Sequence, residues 1–239
     1  MKKFSRREIL KGFGATAAGI AVAGPSKLIN ALQKEERSKF MAAPQLVAKP
    51  YKAGMMEMQG ISAKTMEEHY KLYQGYINKT NEIRTKLETA DPKTANQVYS
   101  DLRVLKVELT FALGGVKNHE IYFDNLGGKG GQPTGKLADA IKEFFGSYDA
   151  WAADLKATGI AARGWTWLAW DYDERRLFNF LGDAQNTFPI WNAVPVVALD
   201  TYEHAYFIDY GVNRGAYIDA FMKNIDWPAV QKRFEAIKM

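Results

Sequence analysis

Cysteine is absent from all 239 residues. That excludes a disulfide framework, a thiolate metal site and a thiol nucleophile, and it leaves nitrogen and oxygen as the donors for any metal ion. Histidine is scarce, with three in the chain: His69, His119 and His204. None of them forms an H-E-x-x-H pattern, which argues against zinc-hydrolase chemistry. Charge of one sign is not gathered into a patch. The formal net charge of +5 includes Lys2, Lys3, Arg6, Arg7 and Lys11 near the start, and the rest of the chain is close to neutral with scattered charges. Scattered charge is a solvated surface and gives no nucleic-acid footprint. What is present is apolar and aromatic. At 47% hydrophobic and 13% aromatic content, the chain can bury the core of one domain or two small ones.

The first 24 residues differ from the rest. Basic residues are followed by a mildly apolar Gly/Ala-rich run and by small residues around Ala21, Val22 and Ala23, the pattern of an export signal. Arg6 and Arg7 after Ser5, followed by Ile9, Leu10 and Lys11, resemble a twin-arginine signal, which implies the twin-arginine export machinery as a partner. The expected location is periplasmic or extracellular. The apolar run from Gly12 to Gly24 is shorter than the ~20 residues that span a bilayer, so cleavage or export is expected, with a tether by an uncleaved signal as the other outcome.

Residues 25–50 mix Lys, Glu, Ala and Pro with little apolar periodicity and read as a linker with one short helix. Met55, Met56 and Met58 read as packing residues. From Ser62 the three-and-four spacing of Thr65, Met66, His69, Tyr73, Tyr76 and Ile77 predicts a helix to about Leu87, broken by Asp91-Pro92. A second helix is predicted from about Thr94 to Phe123, with Val98, Leu102, Leu105, Leu109, Leu113 and Val116 on one face. The two form an antiparallel hairpin domain over 51–126. After the glycines at 127–131, helices are expected at about 134–145 and 148–157. Trp165–Trp170 and Leu177–Leu181 read as a hairpin of strands, Val194–Leu199 as a buried strand, and short helices close the chain. The expected fold class is therefore α+β: a long α-hairpin, then a domain over 127–239 with a small three-stranded antiparallel sheet.

A lone histidine is more often a hydrogen-bonded core residue than a ligand. Asp200 and His204, however, put a carboxylate four residues before an imidazole just after an apolar strand. Three imidazoles and one carboxylate would suit iron, manganese or zinc, with room for a water.

Several segments resemble the iron/manganese superoxide dismutase family. ALDTYEHAYFIDY is similar to its D-x-W-E-H-A-Y-Y segment, ISAKTMEEHY to its first-ligand helix, VKNHEIYFDNLG to its second-ligand helix and ARGWTWLAWD to its G-x-G-W-x-W-L strand. PTGKLADAIKEFFGS, VPVVALD and NIDWPAV extend the resemblance over about 61–235. It implies a redox metal on His69, His119, Asp200 and His204, with superoxide as substrate. It also implies Tyr76 at the mouth of the site, Trp165 as an aromatic wall, and Glu203 reaching across a homodimer to the partner's ligand histidine.

The chain departs from the family pattern in places. The segment from His69 to Tyr76 is one residue short and lacks the gateway histidine, and Phe207 stands where its usual tyrosine partner would be. Tyr202 replaces a tryptophan, Lys117 lies before His119, and Gly115 stands where iron-type members carry a glutamine. Gln185 is the candidate for the glutamine that manganese-type members carry in the sheet region, with Ala184 as the other aligned residue. This reading leans to manganese, or to use of either metal. A metal-holding, exported paralogue with little or no turnover is the alternative function, and a structural paralogue is a third.

Overall fold

The computed structural model describes residues 43–52, 54–187 and 189–238. The expected export signal and most of the expected linker, residues 1–42, lie outside the described residues.

Helix α1 (Ala63–Thr89) starts at Ser62, whose side chain accepts from the Thr65 N–H and so satisfies one of the free donors of the first turn. Thr65, Met66, His69, Tyr73, Ile77, Thr80 and Ile83 make its buried stripe. Residues before it run along α1 as an extended strap. Asn81 bonds both the N–H and the C=O of Leu46, Tyr70 donates to the Lys49 carbonyl, and Arg84 donates to that of Pro44.

Helix α2 (Asp101–Asn125) begins later than the periodicity predicts. Pro92–Thr94 forms a single 3-10 turn, and the Asn96 side chain accepts from the N–H groups of Val98 and Tyr99. That local turn competes with helix, and Ser100 then caps α2 through the Arg103 N–H. Val98 is consequently exposed in the turn rather than on the core face. Burial in α2 is confined to its second half, from Ala112 to Asn125. The helix as a whole packs on α1, on the sheet and on the last helix.

The second part carries α3 (Gly135–Phe145) and α4 (Tyr148–Ala161), the latter one turn longer than expected, then strands β1 (Trp165–Asp171), β2 (Arg176–Gly182) and β3 (Ala193–Asp200). The sheet is antiparallel with order β2-β1-β3. Every residue of β1 is buried, as befits a central strand covered on both sides. Helices α5 (Phe207–Tyr210), α6 (Arg214–Lys223) and α7 (Trp227–Glu235) end the fold. The α+β architecture expected from the sequence is thus the observed one. Trp151, Trp165, Tyr122, Tyr217, Phe221 and Phe234 are fully buried, so the core is largely aromatic.

Candidate metal centre

Four side chains from four parts of the fold meet where α1, α2 and the end of β3 converge. His69 comes from the buried stripe of α1 and His119 from the buried half of α2. Asp200 is the last residue of β3, paired in register with Trp165 at the start of β1. His204 lies in the 3-10 turn Glu203–Ala205 that follows. Asp200 Oδ1 accepts from the Tyr202 N–H at 2.9 Å, which fixes the carboxylate and turns Oδ2 towards the imidazoles.

Asp200 Oδ2 lies 3.1 Å from His69 Nε2, 3.1 Å from His204 Nε2 and 3.6 Å from His119 Nε2. The four donor atoms lie within 4.8 Å of one another. An ion with bonds of about 2.1 Å has edges of about 3.0–3.6 Å between neighbouring donors, and the three distances to Asp200 Oδ2 fall in that range. His119 gives the sharper test. Its Nδ1–H donates to the Gly115 carbonyl at 2.6 Å, while its Nε2 is buried with no hydrogen-bond partner. An unpaired buried lone pair is costly, and a metal ion satisfies it. His69 and His119 are buried, as is Asp200, while the His204 side chain remains 26% exposed.

The electrostatics favour the ligating forms. Burial, with the neighbouring His69, pushes His119 down to about 3, and burial likewise lowers His69. Both imidazoles are therefore neutral near pH 7. Burial alone would raise the Asp200 carboxyl, but His204 and His69 hold it far below the usual carboxylate range. For His204, the pull of burial is outweighed by the charge and hydrogen bond of Asp200, and its pKa rises.

A second ring of side chains surrounds the donors. Gln185, in the loop after β2, is buried, and its Oε1 accepts from Trp165 Nε1 at 2.9 Å and from Asn118 Nδ2 at 3.4 Å. With its carbonyl so held, its Nε2 donates to the Tyr76 hydroxyl at 3.3 Å. The aligned alternative, Ala184, takes no part in this chain of bonds. The Trp165 and Tyr76 rings lie 5.2 and 5.3 Å from that of His119, and Tyr202 stacks on His204 at 5.3 Å. A Cβ on Gly115 would stand 2.7 Å from the Tyr76 ring, and one on Gly114 would stand 2.3 Å from the Gln185 carbonyl oxygen. The glycine pair is the space into which Tyr76 and Gln185 fit.

Tyr73 is buried, with its hydroxyl accepting from the Lys49 N–H and donating to Glu120. Glu203 is exposed, near Phe207, Ile160, Val212 and Arg214 around a surface groove. Sequence reasoning passed over Asn118, although it directly precedes a ligand, and the roles of Gly114 and of the Gly115 carbonyl. A glycine that matters by leaving room gives no pattern until its neighbours are known.

Residues 44–127 match the alpha-hairpin domain of iron/manganese superoxide dismutases, and residues 133–233 match their C-terminal domain. Over 184 residues, 74% of this chain and 86% of the relative, the chain is 46% identical to "Superoxide dismutase [Fe]" of Aquifex aeolicus. It is 38% identical over 193 residues to the protein of the same name from Cupriavidus metallidurans, covering 79% and 95% of the two chains. With "Superoxide dismutase [Mn] 1" of Halobacterium salinarum it shares 33% over 201 residues, covering 82% and 96%. With both domains matched in order, this chain's own His3Asp cluster drawn from the two, and identity of this extent, the chain belongs to the iron/manganese superoxide dismutase family.

Proposed function

We propose that this chain converts two superoxide ions and two protons into dioxygen and hydrogen peroxide, with His69, His119, Asp200 and His204 holding one manganese or iron ion. The observation that carries this reading is the convergence of three imidazole Nε2 atoms on Asp200 Oδ2, with His119 Nε2 otherwise unpaired. A bound redox ion supplies the electron transfer; zinc cannot. The protein's residues do the rest. The Tyr76 hydroxyl accepts from Gln185, which leaves its own proton free to be donated towards the donor set. Burial raises the Tyr76 pKa, so the phenol stays protonated at neutral pH and can act as that donor. Trp165 and Asn118 hold the Gln185 amide in the orientation that makes this possible.

The supply of the glutamine from the β2–β3 loop, with Gly115 leaving no room for one on α2, favours manganese or use of either metal. The proposal includes export by the twin-arginine route, and a homodimer in which Glu203 reaches the partner's ligand histidine. Exposed Glu203, Phe207, Ile208 and Val212 near the partly open edge of His204 support the second of these.

The test is metal content by mass spectrometry together with superoxide decay by pulse radiolysis, on the chain and on His119→Ala. Stoichiometric manganese or iron with fast decay, both lost in the variant, is the expected result. Bound metal with decay at the free-metal rate would instead identify a metal-holding paralogue.

A further inference from the structure

Aromatic rings lead outwards from the four donors in several directions. Trp165, with its ring centroid 5.2 Å from that of His119, stacks on Trp167 at 6.3 Å, and Trp167 stacks on Phe180 at 4.9 Å. Tyr122, 4.9 Å from His69, meets Tyr217 hydroxyl to hydroxyl at 3.1 Å. Tyr76, beside His119, has Phe111 as its other ring neighbour among the described residues. Tyr73 lies nearly parallel to His119 at 6.4 Å; Tyr70 is 5.5 Å from Tyr73, and Tyr51 is 4.1 Å from Tyr70. Tyr70 and Tyr73 belong to the segment HYKLYQGY, the stretch of α1 in which the family's gateway histidine is missing.

A phenol that gives up an electron becomes a strong acid, so a tyrosine conducts only where its proton has somewhere to go. Tyr122 and Tyr217 are fully buried and bond to each other, with no further acceptor among the described residues. Trp167 Nε1 is buried without a partner, and the rings beyond it are phenylalanines, which resist oxidation. Tyr73 differs. Its hydroxyl donates to Glu120 Oε1 at 3.1 Å, within reach of proton transfer, and Lys49 Nζ holds the other carboxylate oxygen at 2.6 Å. Tyr70 and Tyr51 are half-buried, and their hydroxyls donate to the carbonyls of Lys49, at the surface, and of Met66. With Met55 and Phe123, the three tyrosines line a cavity of about 200 Å³ between the strap and the two helices.

We propose that Tyr73, Tyr70 and Tyr51 form a relay that drains oxidising equivalents from the metal centre to the surface when hydrogen peroxide reacts there with the reduced ion. It rests on the reading of the site as a superoxide dismutase centre, whose product is the peroxide. Hydrogen peroxide takes two electrons, and two protons from solvent, to become two waters. The ion, returning to its oxidised form, gives one electron, and Tyr73 gives the other while its proton passes to Glu120. An electron from Tyr70 then restores Tyr73, which recovers the proton from Glu120, and Tyr51 restores Tyr70 in the same way. Each outer phenol releases its proton to water and takes one back when it is restored. A soluble enediol or hydroquinone, entering the cavity beside Tyr51, supplies the last electron and proton. The relay spares the ligand imidazoles and Trp165 from oxidation. In a chain with no cysteine, no thiol can take that part.

The test uses full-length, iron-loaded protein, its iron content measured, reduced, freed of reductant and mixed with hydrogen peroxide. Freeze-quench electron paramagnetic resonance reads radicals, and peptide mass spectrometry maps the oxidised side chains. The expected result is a tyrosyl signal with products at Tyr51 and Tyr70, both suppressed by ascorbate and both absent from metal-free protein. Tyr70→Phe keeps the ring but breaks the relay, so products at Tyr51 should be lost while those at His69, His119 and Trp165 increase. Glu120→Gln cannot take the proton and should shift the damage the same way. Tyr217→Phe, in the pair without an outside acceptor, should match the unsubstituted protein. The relay is overturned if either of the first two variants gives the unsubstituted map, or if Tyr217→Phe shifts the damage as they do. Equal modification of Tyr51 without iron, or no tyrosine product at all, overturns it as well. A chain that takes up no iron sinks the metal-centre reading and the relay with it; bound iron with any of those maps sinks the relay alone.

Discussion

His119 shows how little a ligand can be separated from its helix. Its Nδ1–H is engaged by the carbonyl one turn earlier, so the ring is held with Nε2 directed at Asp200. Gln185 is held in the same manner by Trp165 and Asn118, and its replacement can be predicted. Gln185→Ala leaves all four ligands in place, so metal content should be retained while superoxide decay slows by about 10- to 100-fold, the usual cost of losing a partner of the metal site. Mass spectrometry and pulse radiolysis read the two quantities separately. Gly115→Gln is the converse change. It should fail to import an iron-type arrangement, because its Cβ meets the Tyr76 ring at 2.7 Å. Overpacking of this kind costs about 1–3 kcal/mol, measurable as a lower urea midpoint, and it should slow decay by displacing Tyr76.

At the scale of elements, the turn before α2 is where sequence and structure part. The apolar period ran back through Val98, but the side chain of Asn96 bonds the N–H groups of Val98 and Tyr99, and Ser100 takes the cap. Ser100→Ala should therefore destabilise the fold by about 1 kcal/mol in chemical denaturation, with hydrogen exchange accelerated in the first turn of α2. The remaining elements were legible for physical reasons. Helix α1 was visible through its buried stripe, and the three strands through alternating aromatic and β-branched residues between turn signals. The four side chains that cluster at the candidate metal centre were legible because histidine is scarce and because the segments around them resemble a known family. The arrangement of Gln185 was not, since its partners Trp165, Asn118 and Tyr76 lie 20, 67 and 109 residues away in the chain. No local spacing encodes those contacts.

For the whole molecule, the buried imidazoles make the metal-free protein sensitive to acid. His69 and His119 have pKa values lowered by burial, so below about pH 6.5 the unfolded chain binds protons that the folded one refuses. Stability then rises with pH, with a slope of up to about 1.4 kcal/mol per pH unit for each group. Asp200, whose pKa is depressed, adds to the loss once the pH falls into the range where an unfolded carboxylate protonates, near 4. His204 acts in the opposite sense, its contribution being complete below its unfolded pKa and lost as pH rises through its raised folded value. Two lowered imidazoles outweigh one raised, and the urea midpoint of the metal-free protein should fall steadily from pH 6.5 to 4.

The ligands are also spread along the chain, with His69 and Asp200 separated by 131 positions. An ion bound to both closes a loop of that length, tying the helical hairpin to the end of the sheet. Closing a loop of about 100 residues by a covalent cross-link is worth about 5 kcal/mol in chain entropy. In a protein without a single disulfide, the ion is the staple: chelation should loosen the hairpin from the sheet domain and lower the melting temperature, and remetallation should restore both.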